Sequence, residues 1–135
     1  MESPGAIINN LSVKPGQSIE VKGRILENSK SFSIGLGIDS RNFLLHFSPR
    51  FDFGVDKRKI VCNSLQNNVW EQEQKEGDFP FQQGSVTTVR FEYRREDFNI
   101  LLPSGKRFSF PVRFNVGAIS YLTLGNLQLK CLTIE

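Results

Sequence analysis

The feature that most constrains this chain is a hydrophobic period of two, repeated along its length. Within residues 18–26 (SIEVKGRIL), Ile19, Val21 and Ile25 recur on one side. Phe32, Ile34, Leu36 and Ile38 alternate again, as do Phe43, Leu45 and Phe47, and then Val89, Phe91 and Tyr93. Phe108 and Phe110 flank Ser109, and Leu122, Leu124, Leu127, Leu129, Leu132 and Ile134 populate the C-terminal segment. Successive side chains of a strand point to opposite faces, so this is the pattern of half-buried strands. Turn signals separate the runs: Lys14-Pro15-Gly16, Gln82-Gln83-Gly84, Pro103-Ser104-Gly105 and Gly125-Asn126. Strands recurring every ~8–12 residues predict an all-β sandwich or barrel. Only 114–120 is left as a place for a helical turn. No repeat, linker or low-complexity tract interrupts the pattern, so 1–135 reads as one domain.

A chain of 135 residues can bury a real core without staples. The formal charge of +3 is mild. Its basic runs, Lys57-Arg58-Lys59 and Arg94-Arg95, are short, and Glu96-Asp97 neutralises the second. Nucleic acid is therefore not an expected partner. No apolar run approaches the ~20 residues of a membrane span, so membrane insertion is not expected. The opening MESPGAII has neither the charged nor the apolar region of a signal peptide. This predicts cytoplasmic synthesis, with Cys62 and Cys131 as reduced thiols and the sequon Asn10-Leu11-Ser12 unused. Gly35-Leu36-Gly37-Ile38-Asp39-Ser40 echoes a phosphate-binding loop, but a strand follows it where that role needs a helix.

The one histidine of the chain lies in HFSPRF, residues 46–51. Alternation over 42–48 sends Phe43, Leu45 and Phe47 one way. Leu44, His46 and Ser48 go the other way, and Arg50 follows in step. Pro49 is expected to end the strand. A lone histidine is ordinarily a partly buried, satisfied ring. Three polar side chains in one row are costly to bury and natural on a face open to a polar ligand. Downstream stand Val61-Cys62-Asn63-Ser64 and Trp70-Glu71-Gln72-Glu73-Gln74-Lys75. Asparagine both donates and accepts, and tryptophan offers a flat apolar face. Such an inventory suits a sugar, with a generic polar surface as the alternative. Strict alternation sets Trp70 opposite Glu73 and Lys75, so a shared face requires a bulge between them.

Other chemistries fit less well. Glu71 and Glu73 share a strand face, but a glycosidase needs one acid with a raised pKa, and Lys75 beside them with no apolar pocket implied argues against it. Ser–His catalysis at Ser48 and His46 lacks an orienting acid and an oxyanion hole. One His and two distant Cys do not make a metal site. No cofactor is implied.

Taken together, His46-x-Ser48-Pro49-Arg50, Val61-x-Asn63 and Trp70-x-x-Glu73-x-Lys75 resemble the signature of the galectins, β-galactoside-binding lectins. The family pattern is His-x-Asn-Pro-Arg, Val-x-Asn, Trp-x-x-Glu-x-Arg. The likeness extends to Phe79-Pro80-Phe81-Gln82-Gln83-Gly84 and Phe108-Ser109-Phe110-Pro111, and so spans nearly the whole chain. The resemblance implies a jelly-roll sandwich of two antiparallel sheets, with sugar on the concave one. It implies a non-enzymatic lectin for lactose- or N-acetyllactosamine-type glycans on glycoproteins and glycolipids. His46 and Arg50 would bond the axial 4-hydroxyl of galactose, with Ser48 in the place of the family's Asn. Asn63 would bond the 6-hydroxyl, and Trp70 would stack on the ring. Glu73 would accept from the next ring and hold Arg50, with Lys75 in the place of an Arg. Val61 and Asp56 are secondary candidates.

Ser48 lacks the amide of Asn, and Lys75 lacks the rigid fork of Arg, so galactoside binding is expected to be weakened or shifted. A galectin-like fold that acts mainly through protein contacts is the competing reading. Single-domain relatives are often homodimers through their terminal strands, here 6–11 and 128–134. Ile7, Leu129, Leu132 and Ile134 would leave an exposed apolar edge in a monomer. Export by a non-classical route to the extracellular space completes the expectation.

Overall fold

The computed structural model describes residues 4–135, and among them there is no helix. The strands are β1 (Pro4–Ile8), β2 (Ser18–Ile25), β3 (Ser33–Asp39), β4 (Asn42–Phe53), β5 (Asp56–Gln66), β6 (Val69–Trp70), β7 (Gln74–Glu76), β8 (Val86–Tyr93), β9 (Asp97–Leu101), β10 (Arg107–Pro111), β11 (Tyr121–Gly125) and β12 (Leu127–Ile134). They form two antiparallel sheets. One runs β1-β11-β3-β4-β5-β6, with β7 also paired to β5, and the other runs β10-β9-β8-β2-β12. The all-β sandwich expected from the alternation is the fold observed. The loop over 114–120 makes no helical turn, because Ile119 bridges Val13 and is drawn into the core.

The core lies between the sheets, and alternation decides what enters it. On β2, Ile19, Val21 and Ile25 are sealed while Lys22 and Arg24 face solvent. On β8, Thr87, Val89, Phe91 and Tyr93 point inward. Fully buried Phe32, Phe47, Phe91, Phe98 and Phe110 supply most of the aromatic bulk. Phe47 meets Phe91 edge to face at 5.3 Å, and Phe32 meets Phe81 at 5.1 Å. This is the favoured aromatic geometry. Truncating such a ring to Ala costs about 3–5 kcal/mol, so Phe47, beneath the candidate site, is a packing residue.

Three features depart from simple alternation. First, Pro49 does not end β4, which runs on to Phe53. The Pro49 carbonyl accepts from Phe32 N at 3.1 Å, and Ser31 bridges Arg50 beyond it. Only the bond that a Pro49 N–H would have made is missing, at the end of the β3–β4 ladder, where its loss is tolerated. Second, β4 bulges between Phe43 and His46: Phe43 pairs with Leu65, but His46 pairs with Asn63. Leu44 and Leu45 are both fully buried, and Phe43 leaves the core to lie 6.0 Å from the His46 ring. Phe43 was expected to point the other way; the extra residue of the bulge reverses it. Third, the register of β12 on β2 slips between Leu129 and Cys131. Leu129 and Leu132, three apart, therefore both pack against the core, contrary to the expected exposed edge. Ile7 and Ile134 remain exposed on β1 and β12, the edge strands of their sheets.

Candidate functional site

The polar row sits on the outer face of the seven-stranded sheet. His46 is directly opposite Asn63, Ser48 opposite Val61, and Arg50 opposite Lys59. Val61 in turn pairs with Lys75 on β7, and Leu65 with Trp70 on β6. Direct partners share a face, so β4, β5, β6 and β7 present His46, Ser48, Arg50, Val61, Asn63, Trp70 and Lys75 together.

The phase problem between Trp70 and Lys75 is solved in the backbone. From Leu65 to Val61 is four steps along β5, while their partners Trp70 and Lys75 are five apart. One extra residue in 71–73, outside either strand, restores the shared face. Glu73 comes with it, and its Oε2 lies 4.0 Å from Arg50 Nη1.

A groove of about 470 Å³ opens here, lined by His46, Arg50, Val61, Asn63, Trp70, Glu71 and Glu73. Trp70 stands half exposed at its rim, its indole 5.3 Å from the His46 ring and tilted by 67°. Ser48, on the same face, is buried and does not line the groove. Lys75 and Asp56 do not line it either. Val61, the cross-strand partner of Ser48, lines the groove where the short serine does not.

Behind Arg50 is a charged clamp. Gly54, at φ 60°, turns the β4–β5 hairpin and delivers Asp56 inward. Asp56 Oδ2 accepts from Arg50 Nη1 at 2.8 Å, and Oδ1 accepts from Lys75 Nζ at 2.7 Å. The Lys75 ammonium, and after it the Arg50 guanidinium, hold the Asp56 carboxyl below its ordinary value, while burial pushes the other way. Arg50 also stacks over the Phe53 ring at 4.7 Å. Asp56, a secondary candidate on sequence grounds, is thus the chief anchor of Arg50. Glu73, expected in that role, is the more distant acid. Lys75 bonds Asp56.

Asn63 is fixed on both ends of its amide. Its Nδ2 donates to the Glu71 carbonyl at 3.3 Å, and its Oδ1 accepts from Ser64 N at 2.8 Å and Arg113 Nη1 at 3.2 Å. Arg113 also donates to Ser64 Oγ at 3.0 Å and lies over the Phe110 ring at 4.7 Å. Sequence reasoning missed Arg113, fifty positions away; its place just after Phe108-Ser109-Phe110-Pro111 was the available signal. The glycines of Gly35-Leu36-Gly37 lie on β3, with Gly35 opposite His46. A Cβ at Gly35 would come within 2.8 Å of the Phe43 ring, so the residue is glycine to admit that ring.

The arrangement supplies donors and acceptors along one wall and an aromatic plate along the other. Among the described residues no group of His, Cys, Asp and Glu is placed to hold a metal ion.

A family model described as galactoside-binding lectin matches residues 4–134. A Galectin-1 of Rhinella arenarum is 47% identical over 133 residues, covering 98% of this chain and 99% of that one. The toad ovary galectin solved in complex with thio-digalactose superposes with a TM-score of 0.95 at 47% identity, covering 98% of this chain and 99% of that one. CG-16, a homodimeric agglutinin from chicken liver, superposes with a TM-score of 0.90 at 35% identity, covering 96% and 98%.

Proposed function

This chain belongs to the galectins, the galactoside-binding lectins, and we propose that its groove binds β-galactosides of the lactose and N-acetyllactosamine type. The family is one of lectins, not enzymes. The observation that carries the reading is the meeting of His46, Arg50 and Asn63 with the exposed face of Trp70 across one groove. An axial 4-hydroxyl can sit between His46 and Arg50 and use both. Its equatorial epimer would direct the hydroxyl away from both, and a site built around a hydroxyl strongly rejects a ligand that fails to supply it. The same epimer frees the C–H face of the ring for the indole, a contact contributing on the order of 1 kcal/mol.

On this reading Asn63 bonds the 6-hydroxyl and Glu73 accepts from the second ring. Asp56 and Lys75 act one layer back, holding Arg50. The toad ovary galectin crystallised with thio-digalactose is the relative whose ligand best supports the assignment. Calorimetric titration with lactose and with cellobiose, which differ only at the 4-hydroxyl of the non-reducing ring, tests it. Saturable binding of lactose alone is expected. No binding at millimolar lactose, or equal binding of both sugars, overturns it.

A second part of the proposal concerns assembly. β1 and β12 are edge strands with exposed Ile7 and Ile134, and unpaired edges invite a second copy. The homodimeric chicken agglutinin has the same architecture. A twofold dimer would carry two sugar sites and cross-link glycans on glycoproteins and glycolipids. Sedimentation at micromolar concentration should give a dimer; a monomer alone would remove the cross-linking role and favour single-site contacts.

A further inference from the structure

A second groove, of about 490 Å³, shares no residue with the first. Lys14, Tyr93, Arg95, Asn115 and Gly117 contribute to its lining, which contains two cations and no carboxylate. Three separate parts of the chain meet there: the 9–17 loop, the end of β8 with the turn after it, and the 112–120 loop.

Backbone bonds hold these parts together. Gly16 N donates to the Tyr93 carbonyl at 2.8 Å, and Tyr93 N donates to the Gln17 carbonyl at 2.9 Å. Val13 and Ile119 exchange bonds of 3.0 and 2.8 Å, tying the first loop to the third. Lys14 N is capped by Gln17 Oε1 at 2.9 Å. The walls are therefore set before any ligand arrives, which lowers the cost of binding.

The neighbouring acids do not pair with these cations: Glu96, next to Arg95, enters no salt bridge with a described residue. Asp97 is engaged by Arg94 in a two-pronged pair of 2.7 and 3.0 Å. Neither Lys14 nor Arg95 enters a salt bridge with a described residue. Tyr93 joins the groove to the core. Its ring is buried and stacked on Phe98 at 5.2 Å, and the residue lines the groove. Its hydroxyl bonds no described residue and is not sealed from solvent, so it is open to a ligand there.

We propose that this groove is an anion site for a sulfated or phosphorylated monosaccharide unit. Lys14 and Arg95 would take the oxyanion, Arg95 through its planar fork. The Tyr93 hydroxyl and the Asn115 amide would meet ring hydroxyls, and Pro15 and Val116 would face the C–H bonds. The site is independent of galactose, since nothing in it selects an axial 4-hydroxyl.

The test is an amide chemical-shift titration of the full chain with glucose 6-sulfate, glucose 6-phosphate and plain glucose, with and without saturating lactose. Glucose esters lack the axial hydroxyl, so the first groove should ignore them. Saturable shifts at Arg95, Asn115 and Gly117 are expected with at least one ester, undiminished by lactose and absent with glucose. Arg95→Gln and Lys14→Gln, both on exposed residues, should each weaken binding about two- to fivefold, and the double variant should abolish it. Tyr93→Phe, which keeps the core ring, should also weaken it while lactose affinity stays unchanged. No saturable shift with either ester, shifts that survive the double variant, or shifts displaced by lactose overturn the proposal. The lactose titration reports the first groove separately, so failure of one site is distinguishable from failure of the other.

Discussion

Lys75 Nζ rests 2.7 Å from Asp56 Oδ1, and so the lysine of the Trp70–Lys75 segment serves the β4–β5 hairpin. The other oxygen of the same carboxylate holds Arg50. The three residues behave as one unit, and removing the acid should be felt at the sugar.

Asp56→Asn should therefore lower lactose affinity about tenfold or more, although Asp56 does not line the groove. It leaves two cations side by side. With Arg50 and Lys75 both partly exposed, the stability loss should be about 1–3 kcal/mol, below that of a sealed pair. Calorimetry and urea unfolding measure the two effects. An unchanged affinity would mean that Arg50 is placed by Glu73 and Phe53 alone.

The clamp also fixes a pH dependence. The folded carboxyl of Asp56 lies below its ordinary value, so its contribution to stability is full above the unfolded value of about pH 4. It is lost as pH falls through the lower folded value. Other acids, Glu76 and Asp39 among them, are also depressed, so the wild type alone would not isolate the clamp. The stability difference between wild type and Asp56→Asn should shrink progressively as pH falls below about 4. A difference that stays constant over that range would contradict the assignment.

Phe53 lies under the Arg50 guanidinium and is otherwise substantially exposed. Phe53→Ala should reduce lactose affinity about two- to fivefold through loss of the cation–π contact, with little change in melting temperature. Equal affinities would show that the salt bridge suffices.

Ser48→Asn would extend an amide from the position between His46 and Arg50 in the row. Affinity for galactose itself should rise several-fold. Lys75→Arg would let one planar fork reach both Asp56 and Glu73, and it should improve binding of lactose more than of galactose. If neither variant gains affinity by titration, these two residues do not limit the site.

The two thiols should react very differently. Cys62 is fully buried, and burial pushes its thiol well up from the ordinary value, whereas Cys131 is exposed on β12. A thiol reagent should modify one cysteine per folded chain, with Cys62 reacting only after unfolding. Two fast equivalents would indicate that β5 opens readily.

Much of this was legible in the chain. The alternation in Ile19, Val21 and Ile25, or in Val89, Phe91 and Tyr93, needs no partner strand to be read, because period two follows from one strand's own geometry. The row His46, Ser48, Arg50 was readable for the same reason. The reversal of Phe43, the joint inward turn of Leu129 and Leu132, and the continuation of β4 past Pro49 were not. Each depends on the register of a neighbouring strand, and a bulge belongs to the pair. Arg113 was hidden for a similar reason: its bond to Asn63 joins residues that only the folded sheets bring together.

The extra residue between Trp70 and Lys75 has one more consequence. It makes the recognition face a matter of chain length as well as of side-chain identity. Deleting Gln72 would leave Trp70, Glu71, Glu73 and Lys75 in the sequence, in the same order, and would still turn Lys75 and Glu73 away from Trp70. The spacing written into Trp70-x-x-Glu73-x-Lys75 is thus itself a structural element: side chains around the groove can be exchanged at constant length, whereas the loss of one codon between Trp70 and Glu73 breaks the shared face.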